Sequence, residues 1–130
     1  MSRENVELIE AAMEHLRATG EPQWSSNHED IEIHDHDIPD AGEYRGNAGY
    51  ARWLEDWADA WSEFSLEPDE FIDAGDRVVV VFRLKATGRG SGVTVERRDG
   101  LVATLGDGLV VRLDYYNSRE QALEAVGLAA

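Results

Sequence analysis

Hydrophobic and polar positions divide the chain into helical and then extended stretches. From about Arg3 to Ala18, Val6, Ile9, Met13 and Leu16 recur at three- and four-residue steps, which predicts an amphipathic helix with Ser2 as cap and Gly20 as stop. The segment from Glu21 to His28 reads as a second, short helix with Pro22 in its first turn. Asp30 to Asp37 then alternates, with Ile31 and Ile33 on one side and Glu32, His34 and His36 on the other, the pattern of a half-buried strand. Pro39-Asp40-Ala41-Gly42 is turn chemistry, and a helix from about Asn47 to Glu63 follows, carrying Tyr50, Trp53, Leu54, Trp57 and Trp61. Its aromatic face is either core alone or also the wall of a cavity.

The remainder alternates as strands. Phe64 to Ala74 is interrupted by Pro68, which predicts an edge strand or a bulge. Val78 to Leu84 is apolar on both faces. Val93 to Leu105 forms a long strand that Gly100 is expected to kink or bulge, and Gly106-Asp107-Gly108 turns it into Leu109 to Tyr116. A tail from Ser118 to Val126 has Ser118 as cap and Leu123 and Val126 as anchors. Helices followed by a strand run give an α+β fold, a curved antiparallel sheet wrapped round the N-terminal helices as one domain spanning residues 1–130. Strands apolar on both faces need an outer cover, and a second copy is the expected one, hence a homodimer through the outer sheet face.

Composition narrows the classes. With 42% hydrophobic and 30% charged residues the chain is an ordinary globular one. A formal charge of −15 argues against nucleic acid and anionic membrane as partners. No apolar run is long enough to span a bilayer and no signal-like segment opens the chain, so a cytoplasmic location is expected. The absence of cysteine excludes disulfides and thiolate chemistry. Lys85, the sole lysine, sits in a strand and makes a poor Schiff-base candidate. Gly88, Gly90 and Gly92 precede no helix start, so they lack the mechanism of a phosphate loop.

The strand around Ile33 holds the one unexpected feature. Alternation sends Asp35, and Asp37 if the strand continues, to the face of the isoleucines. A carboxylate there is costly to bury unless paired, and desolvation would bring it toward the range of general acid–base catalysis. His34 and His36 share the opposite face but make only half of a zinc site, so no metal or cofactor is expected.

Several stretches together resemble the nuclear transport factor 2-like superfamily, and within it the SnoaL-like group. They are Ser2 to Glu7, His34-Asp35, Pro39 to Gly46, Phe71 to Val80 and Gly106 to Tyr116. The resemblance implies a cone-shaped sheet with a deep pocket, the cystatin-like α+β barrel. It leaves activity open, because the superfamily includes isomerases, cyclases, dehydratases, epoxide hydrolases and non-catalytic binders.

Asp35 falls where ketosteroid isomerases, which this chain resembles, carry their general base, and Asp37 is the competing match. Their oxyanion-hole tyrosine corresponds to Met13 and their second buried acid to about Gly100, so ketosteroid isomerisation is not expected. In limonene epoxide hydrolases the catalytic Arg aligns with Arg83, but Lys85 replaces the first Asp and Asp114 or Tyr115 meets the second. SnoaL-type polyketide cyclases require only a pocket and one acid–base Asp.

The expectation is therefore Asp35 as general acid/base of an isomerase, cyclase or dehydratase acting on a small apolar molecule. Ile33, Trp53, Leu54, Trp57, Arg83, Leu113 and Tyr115 are expected to shape the pocket. The alternatives are a non-catalytic domain that binds a small molecule or a protein, and a pocket filled by its own tryptophans.

Overall fold

In the computed structural model, residues 2–36 and 44–128 are described. The expected Pro39–Gly42 turn and the competing acid Asp37 lie outside them. Helix α1 spans Ser2–Thr19 and buries Ile9 and Met13 against the sheet. Gly20, at φ 78°, ends it in the left-handed region that glycine enters without strain. The second short helix shrinks to one 3-10 turn, Trp24–Ser26, and strand β1 already begins at Asn27 (Asn27–Asp35). With a single large apolar residue, Trp24, that segment has no face to bury as a helix.

A two-residue strand β2 (Tyr44–Arg45) leads into α2 (Gly46–Asp59). The helix stops before the expected end because Trp61 belongs to the next strand, β3 (Trp61–Ala74), so α2 carries Trp53 and Trp57 but not Trp61. The remaining elements are β4 (Arg77–Gly88), β5 (Thr94–Gly106), β6 (Leu109–Tyr116) and α3 (Arg119–Ala125). Ser118 caps α3 by accepting a hydrogen bond from Gln121 N at 3.1 Å.

The strands form one curved, unclosed sheet in the order β2-β1-β6-β5-β4-β3. It is mixed rather than wholly antiparallel. β1 runs parallel to β6, placing Ile33 beside Leu113 and Asp35 beside Tyr115, while the other pairs are antiparallel. Side-chain alternation reads the same in either direction, so the pattern alone does not distinguish them. β3 lies at the edge with a register shift between Pro68 and Glu70, both consequences expected of a strand proline.

Ile31, Ile33, Val78, Val80, Phe82, Leu84, Leu101 and Leu113 pack on the concave side with α1 and α2. On the opposite side, Val79, Val81 and Val102 are covered by Ala122 and Leu123 of α3. The cover expected from a second copy is thus supplied over β4 and β5 by the chain itself. Gly100 does not kink β5. It stays in register between Val81 and Tyr116, and a Cβ there would come within 2.6 Å of the Ala122 Cβ, so its bare backbone is what lets α3 dock.

Candidate active site

Between the helices and the concave face lies a cavity of about 600 Å³, the size of a drug-like ligand site. Met13 and Leu16 line it from α1, Trp53, Leu54 and Trp57 from α2, and Phe64 and Leu66 from β3. The tryptophans do not fill it. Trp24 packs edge-on against Tyr50 at 5.7 Å and is not part of the lining.

Asp35 is half-buried at one side of this cavity. It is the third inward position of β1 after Ile31 and Ile33, and its strand neighbour is Tyr115, the inward residue two places after Leu113. The indole Nε1 of Trp53 donates to Asp35 Oδ2 at 3.0 Å, and the same indole stacks on the Tyr115 ring with centroids 4.5 Å apart. Tyr50 and Tyr115 bring their hydroxyls to 3.4 Å. Burial pushes the Tyr115 hydroxyl well above its ordinary value, and Tyr50 and the nearby Asp35 charge push the same way. The Tyr50 hydroxyl is also raised by burial, against a smaller opposing effect from its bond to Tyr115. Tyr115 therefore remains a neutral hydrogen-bond donor at ordinary pH, beside a carboxylate.

A second polar group lines the cavity from β5. Asp99 is buried at 7% exposure and Arg97 Nε lies 2.9 Å from its Oδ1. Neither residue was anticipated from the sequence, where the late-strand acid was matched to Gly100. Tyr50 was placed only on the aromatic face of α2. The available signal was alternation: Arg97 and Asp99 continue the inward set that Leu101 and Ala103 establish.

Of the residues assigned to the pocket from the sequence, Trp53, Leu54, Trp57 and Tyr115 line this cavity, and Ile33, Leu113 and Arg83 do not. Ile33 is fully buried in the core behind the wall. Leu113 lines a separate, smaller cavity of about 40 Å³. Arg83 is exposed, because Phe82 and Leu84 take the inward positions of β4 and an odd-numbered residue there faces outward. Among the described residues no three His, Asp or Glu side chains are grouped to hold a metal ion. His34 and His36 instead meet Glu32 at 2.9 Å and Asp114 at 2.8 Å.

Residues 25–113 match the model of the SnoaL-like domain, from the start of the sheet into its last strand. The chain belongs to this family. Among solved structures, it is 26% identical to TerC, crystallised with polyporic acid, with a TM-score of 0.76 over 95% of this chain and 98% of that one. A nuclear transport factor 2-like protein from Burkholderia xenovorans is 25% identical, with a TM-score of 0.72 over 98% of each chain. A protein of ketosteroid isomerase-like fold from Catenulispora acidiphila, solved in complex with trimethylamine, shares the fold at 14% identity and a TM-score of 0.70, over 90% of this chain and 92% of that one. No functionally curated protein matches the chain. Among the described residues no helix is long and apolar enough to cross a membrane.

Proposed function

We propose that this SnoaL-like protein is a cofactor-independent acid/base enzyme that binds a small, largely apolar carbonyl compound and moves a proton with Asp35. The observation that carries the reading is that Asp35 and Tyr115 are strand neighbours lining one side of the same aromatic cavity, with burial keeping the Tyr115 hydroxyl neutral. Asp35 takes a proton from the carbon beside the carbonyl. The C–H electron pair moves toward the carbonyl oxygen, where Tyr115 donates a hydrogen bond to the developing negative charge. Return of the proton to another carbon completes an isomerisation; in a cyclisation the enolate carbon attacks a second carbonyl, whose C=O electron pair moves to its oxygen, and Asp35 delivers the proton to that alkoxide. TerC's complex with polyporic acid supports small-molecule occupancy of a pocket in this fold.

A second reading follows from the Trp53 Nε1 bond to Asp35, which also suits a carboxylate that braces a non-catalytic binding pocket. One experiment separates the two: α-hydrogen exchange of 2-tetralone in D2O, with ligand binding followed by tryptophan fluorescence. On the enzymatic reading the protein accelerates exchange, Asp35→Asn lowers it about 100-fold or more, and binding survives. Exchange at the solvent rate in the presence of binding, or an Asp35→Asn variant as active as the parent, would leave the binding role.

A further inference from the structure

The outer side of the β1–β6 pair carries a cluster of polar side chains. They converge on Asp114, which is only 6% exposed. Arg112 Nε donates to its Oδ2 at 2.8 Å and Arg112 Nη2 to its Oδ1 at 3.0 Å, while His36 Nε2 lies 2.8 Å from Oδ1. The His36 ring is laid flat on Tyr116, with centroids 4.5 Å apart and planes 3° from parallel. The backbone joins the strands at the same place, since His36 N donates to Tyr115 O at 2.8 Å. Asp35 and Tyr115 thus face the cavity, and the residues that directly follow them, His36 and Tyr116, are clasped on the other face.

We propose that His36 is a positioning residue, which through Asp114 and Tyr116 holds the end of β1 against β6 and so sets Asp35 against Tyr115, more firmly when its imidazole carries a second proton. The inference rests on the reading of Asp35 and Tyr115 as the working pair. Arg112 keeps Asp114 a carboxylate, so protonating His36 turns a bond with one charged partner into one between opposite charges, which is stronger. The charged and titratable groups around the imidazole are Asp114, Arg112 and Tyr116 from β6, Glu32 and His34 from β1, Arg45 of β2 held 3.7 Å from Glu32, Glu124 of α3 across a shallow groove, and Arg77 of β4, which bonds Ala125 O at the far side of that groove.

Trp53 supplies the readout, because its Nε1–H is bonded to Asp35 Oδ2 and its resonance follows the placement of that carboxylate. In ligand-free, 15N-labelled protein, the Trp53 indole signal is expected to move with pH in step with the imidazole signals of His36. His36→Gln keeps an N–H for Asp114 and cannot titrate, so that step disappears while any lower-pH movement from Asp35 itself stays. In Asp114→Asn, which also serves if His36→Gln fails to fold, the link from His36 to β6 is weakened and the Trp53 step shrinks. An indole signal that ignores the His36 titration, or a step that survives unchanged in His36→Gln, overturns the proposal. Because the signal is read without ligand, a failure of Asp35 to support exchange chemistry leaves this result standing, and the two failures are told apart.

Discussion

At the scale of single residues, two aspartates show how setting decides role. Asp35 is half-buried and meets a neutral indole donor, whereas Asp114 is almost fully enclosed and gripped by a guanidinium and an imidazole. Burial alone would raise the Asp114 carboxyl, but the bonds to Arg112 and His36 outweigh it and hold the group below its ordinary value. The native state therefore binds fewer protons at this site than the unfolded chain, so the carboxylate's stabilisation is complete above the unfolded value of about 3.9. It is lost as pH falls through the lower, folded-state value. Asp114→Asn is expected to cost about 1–3 kcal/mol at pH 7, because the buried carboxylate that accepts from Arg112 and His36 is replaced by an uncharged amide. Urea unfolding at pH 7 and again near pH 3 checks this, with the difference between variant and parent shrinking at the lower pH. A constant difference would mean that the charge of Asp114 is not what stabilises.

At the scale of elements, legibility followed periodicity. α1, β6 and α3 were readable because their apolar positions repeat cleanly and their caps are conventional, Gly20 after α1 and Ser118 before α3. The end of α2 was not, because Trp61 continues the aromatic spacing of Trp53 and Trp57 although it begins β3. Nor was the parallel pairing of β1 with β6, which is decided by how the helices pack rather than by side-chain order. The site was half visible: alternation put Asp35 inward beside the isoleucines, yet the same test, applied to β5, would have found Arg97 and Asp99. Arg83 was drawn from a resemblance, and alternation with Phe82 and Leu84 argues against it. Gly100 carries the sharpest test at this scale. An added Cβ would lie 2.6 Å from the Ala122 Cβ and 2.9 Å from Ser118 O, so Gly100→Ala must push α3 off Val81 and Val102. We expect a loss of about 1–3 kcal/mol, read as a lower Tm, with faster amide exchange confined largely to α3. Unchanged stability would mean that α3 is not held by this contact.

At the scale of the whole molecule, charge is the dominant feature. The 27 Asp and Glu residues against 12 Lys and Arg leave a formal −15 on 130 residues, and such an excess repels itself in the compact state. Local ion pairs work in the opposite direction. Arg98 meets Asp69 at 2.9 Å and Glu70 at 3.1 Å, and Arg119 meets Glu70 at 2.9 Å, tying β5, β3 and the start of α3 together. These pairs are partly exposed, and exposed pairs are each worth only about 0–1 kcal/mol. Salt screens both effects, over roughly 10 Å at 0.1 M and 3 Å at 1 M, so the sign of the response tells which is larger. Carboxylates outnumber cations by more than two to one, and the net negative charge repels over longer distances than the ion pairs attract. Tm is therefore expected to rise as NaCl is added from low ionic strength to about 0.5 M, most steeply over the first part of that range. A scan at pH 7 checks it. A Tm that falls with salt would show that the Arg98–Glu70–Arg119 ties outweigh the repulsion, and neutralising Glu70 would then cost more than its exposure suggests.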